Sequence, residues 1–147
     1  METHSCKKCG CDAFMADHGP APFAANVMGA ARQNQNFRTA FWTGSHLQMT
    51  LMSIPVCGEI GLEMHPDTEQ FIRVENGRAL VCMGECKEKL DAQYCLHTGD
   101  GIFVSAGAWH NICNTGDCPL KLSSIYAPPH HPKGTIHCTK ADASQKD

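Results

Sequence analysis

The chain has 147 residues and a formal net charge of −3, which fits one domain large enough to bury a core without disulfide staples. So balanced a charge gives no electrostatic basis for binding nucleic acid or an anionic membrane surface. No apolar run reaches membrane-spanning length, and the opening METHSCKKCGCDAF has no apolar signal core, so a cytoplasmic protein is expected. In that setting the ten cysteines, irregularly spaced, read as reduced thiols packing as small hydrophobes, Cys82 and Cys113 among them.

Residues 1–20 are polar and show no periodicity. They are expected to form a flexible arm ahead of a domain spanning 21–147, with its core at 37–128. Cys6, Cys9 and Cys11 form C-x-x-C-x-C in that arm. The pattern is either a thiolate metal site completed by His4 or His18, or a tail that carries thiols. A short helix is expected near residues 24–33. FRTAFWT and HLQMTLMSI, separated by Gly-Ser, read as two strands and a tight turn. IGLEMH and EQFIRVE follow around a Pro-Asp-Thr turn, and Asn76-Gly77 signals a hairpin into RALVCM. After the charged loop GECKEKLD come AQYCLH, GIFV, WHNICN and LKLSSIYA, then a short helix at ADASQ. Short strands at this spacing indicate an all-β single domain, a sandwich or a barrel. The segment APPHHPKGTIH holds too much proline for a central strand. It either wraps a partner subunit or closes the mouth of a barrel.

Coordinating side chains crowd into GLEMHPDTEQFIRVENG, residues 61–77. Residues alternate faces along a strand, so Glu63 and His65 share one face. In the next strand Gln70, Ile72 and Val74 share one face, and Glu69, Phe71, Arg73 and Glu75 the other. Arg73 and Glu75 read as solvent-facing, so Gln70 rather than Glu69 points inward. A bulge at the nearby turn would reverse that assignment.

These residues resemble the first motif of the cupin superfamily: a glycine, His-x-His, a Glu, and a second glycine. Glu63-Met64-His65 stands at the His-x-His position. Gln70 fits the Glu position both in its distance from His65 and in its distance from Gly77. GDGIFVSAGAWHNICN resembles the second motif through Gly99, Gly107, His110 and Asn114, with Ser105 in place of Pro. The phrases FRTAFWTG, AWHNICNTG and IYAPPHHPKGTIH are similar to a group of small single-domain cupins often labelled mannose-6-phosphate isomerase-like.

The resemblance implies an all-β jelly-roll barrel, a double-stranded β-helix, with a short N-terminal arm and a short C-terminal extension. It implies one divalent metal held by Glu63, His65, Gln70 and His110. Cupins usually offer three His and one Glu, so this chain departs at Glu63 and Gln70. Two imidazoles, a carboxylate and an amide oxygen suit Zn, Fe, Mn, Ni or Co. Arg38 and Gln48, polar within strand-like runs, are candidates for orienting a small-molecule substrate, and an Arg fork favours carboxylate or phosphate. The other reading of Arg38 is a solvent-facing position. Glu69, or Glu63 if unligated, is the candidate for moving a proton. Trp42, Trp109 and Tyr126 read as core or dimer packing. His4, His18, His97, His130, His131 and His137 read as ordinary core or surface histidines. Cupins commonly form homodimers, so one is implied. Three functions stay open: isomerase- or epimerase-like Lewis-acid chemistry on a small sugar, sugar acid or keto acid; an iron-dependent dioxygenase; and a non-catalytic binding module.

Overall fold

The computed structural model of the chain describes residues 14–146. Its strands are β1 (Arg38–Thr43), β2 (Gln48–Ile54), β3 (Glu69–Asn76), β4 (Arg78–Gly84), β5 (Ala92–His97), β6 (Gly101–Val104), β7 (Trp109–Asn114), β8 (Leu120–Ala127) and β9 (Ile136–His137). Helix α1 covers Val27–Gln33 and α2 covers Lys140–Lys146. Six strands form one sheet in the order β6-β3-β8-β2-β1-β9, and three form a second in the order β5-β4-β7. Every pairing is antiparallel. The all-β domain read from the strand pattern, and the jelly roll that the resemblance implies, is the fold observed.

Alternation along the strands, combined with register, sorts the interior into two ends. Gln48 pairs with Tyr126, and Tyr126 with Gln70, so one inward row across β2, β8 and β3 is polar. Met52 pairs with Leu122 and Leu122 with Val74, and Ile54 pairs with Leu120. These inward rows, with Val81 and Ile112 from the facing sheet, form the buried apolar core. Burying one such side chain contributes about 1.5–3 kcal/mol. The barrel is therefore an apolar plug at one end and a polar chamber at the other.

The outer face of the larger sheet is also covered. Met15, Ala30 and Ala31 pack on Phe41 and Leu51, and Phe14 meets Phe41 edge-on at 5.5 Å between ring centroids. Asp17 accepts hydrogen bonds from Thr43 Oγ1 at 2.6 Å and Gly134 N at 2.9 Å. Residues 14–20 are thus docked on the sheet rather than part of a flexible arm. Phe14, Met15, Asp17 and His18 hold them, too few to leave a periodic signal. The Cys6, Cys9 and Cys11 pattern, with His4, lies outside the described residues. His18 stacks on Phe23 at 4.1 Å, a packing role.

Two further expectations change. Asn76-Gly77 is not a hairpin turn, because β3 and β4 belong to different sheets. Gly77, at φ 115°, turns the chain between the sheets. A Cβ there would lie 3.3 Å from Leu120 Cδ1 in a left-handed conformation that favours glycine. Glu75 does not face solvent; it is 1% exposed and accepts a hydrogen bond from Ser123 Oγ at 2.6 Å. The register shifts between Val74 and Asn76. Beside that shift, Arg32 of α1 donates to the Glu75 carbonyl at 3.3 Å. Among the described residues no helix is long and apolar enough to cross a membrane. Cys57, Cys82, Cys86, Cys95, Cys113 and Cys118 are thiols outside any disulfide.

Candidate metal centre

The segment before β3 carries two of the three converging side chains. It is not the regular strand expected from IGLEMH, but it runs antiparallel to β7 through separate contacts. Ile60 N donates to Ile112 O at 2.9 Å, and Glu63 and His110 exchange both backbone hydrogen bonds at 2.9 Å. Gly107 N then donates to His65 O at 2.9 Å. Residues directly opposite in an antiparallel pair share a face, as do residues two apart. Glu63 and His110 therefore project together, and His65 joins them.

The ligating atoms of Glu63, His65 and His110 all lie within 4.8 Å of one another. His110 is 2% exposed and His65 7%. Glu63 Oε1 sits 2.8 Å from His65 Nε2, yet that nitrogen meets no partner in hydrogen-bond geometry. The carboxylate oxygen and the imidazole nitrogen thus stand close enough to share one cation. His110 Nδ1 lies 3.0 Å from the Ala108 carbonyl. An N–H there leaves Nε2 as the free lone pair, the usual outer support of a metal-binding imidazole.

Charge in the site follows the same geometry. Burial alone would raise the Glu63 carboxyl, but His65, then Arg38 and His110, outweigh it and hold the group below its ordinary value. Burial lowers the His110 imidazole, against the Ala108 carbonyl and Glu63. Both groups therefore favour their metal-ligating forms, carboxylate and neutral imidazole.

Gln70 is 7% exposed and Glu69 is exposed, so strand parity is as expected. Gln70 Nε2 donates to Ser124 Oγ at 2.7 Å, while Oε1 is buried without a partner. The register sets Gln70 beside Tyr126, whose ring packs 5.9 Å from that of His65. Glu69 pairs with Ala127 on the outside of the barrel. It is not brought to the site, because the parity that turns Gln70 in turns Glu69 out.

A cleft of about 710 Å³ opens over this centre, with Arg38, Glu63, His65, His130, His131 and Lys140 among its walls. Arg38 is 4% exposed and belongs to the cleft rather than the solvent face. Gln48 is fully buried and does not line it. Its Nε2 donates to Thr43 Oγ1 at 2.9 Å and His131 O at 2.8 Å. Its Oε1 accepts from His130 N at 3.2 Å and His131 N at 2.9 Å. With both ends engaged, Gln48 clamps the segment after β8 rather than orienting a ligand.

That segment lines the cleft beside the centre. His130 comes within 4.2 Å of the His65 ring, and His131 lies 5.2 Å from Tyr126. Ile136 and His137 pair with β1. His130 and His131 are cleft residues that reading each histidine singly missed. The available signal was His130, His131 and His137 within one proline-rich stretch. Burial, then the charges of Arg38 and the neighbouring imidazoles, pushes His131 down to about 2, so its ring is neutral. Tyr126 is buried, as expected of a core residue.

Comparison with known proteins agrees with this architecture. The chain is 54% identical over 130 residues to the protein YrkC of Bacillus subtilis (strain 168), covering 88% of this chain and 70% of that one. It is 37% identical over 115 residues to protein L612 of Acanthamoeba polyphaga mimivirus, covering 78% and 70%. The crystal structure of BH2720 from Bacillus halodurans superposes with a TM-score of 0.88 at 54% identity, covering 88% of this chain and 98% of that one. These matches give no support to a mannose-6-phosphate isomerase-like label. The cupin domain model matches residues 50–126, from the middle of β2 to Tyr126 of β8 and across the whole Glu63–His65–His110 centre; the chain belongs to the cupin family.

Proposed function

We propose that this protein is a metal-dependent cupin acting on a small oxygen-bearing ligand. In this reading Glu63, His65 and His110 hold one divalent cation, and the Gln70 amide oxygen completes the set. The observation that carries it is the convergence of three ligating atoms within 4.8 Å, one of them a buried imidazole nitrogen with no hydrogen-bond partner. The Gln70 oxygen, buried without a partner, supports counting it in the set. Oxygen and imidazole donors without thiolate suit Mn, Fe, Co, Ni or Zn. When bound, such an ion polarises a carbonyl or hydroxyl oxygen as a Lewis acid.

The protein's own groups supply the rest. Glu63 is the carboxylate on the cleft wall, held ionised by His65, Arg38 and His110 against burial. His110 is oriented from behind by Ala108. The segment carrying His130 and His131 narrows access for water. These roles suit an isomerase- or epimerase-like reaction on a small sugar, sugar acid or keto acid. The apolar outer face at Phe23, Trp42, Leu47 and Met49 supports a homodimer, in a cytoplasmic setting.

A second reading, an iron-dependent dioxygenase, rests on the same two imidazoles and one carboxylate. Elemental analysis of the full-length chain tests the shared claim. Wild type should carry one equivalent more than the His65→Ala, His110→Ala double variant, and equal content would refute it. Oxygen uptake with added iron and a keto-acid panel separates the two readings.

A further inference from the structure

One group in the cleft has no role in holding a cation. Arg38 is a guanidinium with 4% exposure. Burying a charge costs several kcal/mol unless it is paired. Yet Arg38 has no ion-pair partner among the described residues. Its Nη1 lies 3.2 Å from His137 Nδ1, and its Nε is buried with no hydrogen-bond partner. Below it the Phe37 ring packs 5.3 Å from the guanidinium carbon. The charge acts on Glu63 through space, but among the described residues no carboxylate lies within ion-pair distance of it.

Its surroundings are built rather than incidental. Arg38 sits between Met52 of β2 and His137 of β9 in the sheet, so the backbone under it is fixed on both sides. His131, in the same cleft wall, also carries a buried Nε2 without a partner. Two polar side chains with unsatisfied buried atoms thus border one cavity, next to Glu63 and His65. Among the described residues the other lysine or arginine on that wall, Lys140, is about half exposed and lies 3.8 Å from Glu59. Arg38 is therefore a buried guanidinium on the cleft wall with no carboxylate bonded to it among the described residues.

We infer that the cleft takes a small organic carboxylate, with Arg38 as the anchor of its carboxyl group and His131 as a neutral flanking contact. The inference rests on the functional reading above, since it names the ligand class of that site. The planar guanidinium matches two carboxylate oxygens side by side. One guanidinium neutralises one carboxylate and leaves a phosphate dianion half compensated, so carboxylate is favoured over phosphate.

The test uses the full-length protein, prepared both chelator-treated and manganese-loaded. Pyruvate, glycolate, inorganic phosphate and the neutral compound glycerol are each titrated calorimetrically against wild type, Arg38→Gln and Arg38→Lys. Metal content and thermal midpoint are recorded for every sample. Pyruvate or glycolate should bind wild type more tightly than phosphate, and glycerol should not bind. Arg38→Gln should bind the carboxylates on the order of 30-fold or more weaker, with unchanged metal content.

If Arg38→Gln does not fold, Arg38→Lys carries the comparison, because an ammonium cannot fork to two oxygens. Undiminished carboxylate affinity in that variant overturns the inference. So does phosphate binding as tightly as the carboxylates, or the absence of any carboxylate binding to wild type. Arg38-dependent binding that persists in protein unable to take up metal supports this inference while refuting the metal reading. Metal uptake without Arg38-dependent binding does the reverse.

Discussion

The neutral His131 makes the wall of the cleft sensitive to acid. Burial, with the positive charges around it, lowers this imidazole from the ordinary 6.5 to about 2. Its Nε2 has no partner that would favour an imidazolium. The unfolded chain takes up that proton below about pH 6.5, whereas the folded chain excludes it. Between the two values the unfolded state binds one more proton, so stability rises with pH and falls on acidification. From about pH 7.5 to about pH 4.5 the loss assigned to this one group is about 2–3 kcal/mol. Any folded value below about 4 gives nearly the same figure. His131→Gln removes the titrating ring and keeps the backbone N–H that donates to Gln48 Oε1 at 2.9 Å. Urea unfolding of wild type and variant, in the presence of a chelator, gives the stability at each pH. The variant should lose less stability on acidification by about 2–3 kcal/mol. In a chain of this length that is about 5–10 °C of melting temperature. Equal losses would refute the reasoning, because His131 would then protonate in the folded protein without penalty.

Two other substitutions separate structural side chains from ligating ones. Gln48→Leu strands two backbone N–H groups and one carbonyl at His130 and His131. It should cost about 2–5 kcal/mol and speed amide exchange in residues 128–131. An unchanged melting temperature would show that Gln48 is not the clamp. Asn114 donates to Ile54 O, Pro55 O and Cys118 O at 3.0, 3.2 and 2.9 Å and accepts from Gly116 N at 2.8 Å. Asn114→Ala should therefore cost about 2–4 kcal/mol by calorimetry with metal content intact, and the opposite outcome would place Asn114 in the metal site.

The strands were legible through alternation where one face is buried, as in β6 and β7, and elsewhere through the turn residues that bound them. That was enough to find every strand except the two-residue β9, and enough to turn Gln70 inward and Glu69 outward. Alternation fails where both faces are covered. Glu75 was placed in solvent because a charged residue beside Arg73 looks exposed, and nothing local announces that Ser123 and α1 cover it. The sequence of a turn does not specify which sheet the next strand joins, so Asn76-Gly77 read as a hairpin. Glu63, His65 and His110 were legible through two spaced motifs. His130, His131 and the clamp by Gln48 were not, because they depend on a proline-rich segment folding back more than 80 residues in sequence.

The central claim is that Glu63, His65 and His110 are the ligands of one cation. Crystals of the full-length protein grown with manganese, and measured with wavelengths on either side of the metal's absorption edge, test it most directly. The account predicts an anomalous peak at bonding distance from the Glu63 carboxylate and the Nε2 atoms of His65 and His110, with the Gln70 amide oxygen turned toward it. Crystals with no peak there, and with Glu63 and His65 joined by an ordinary linear hydrogen bond instead, would contradict it.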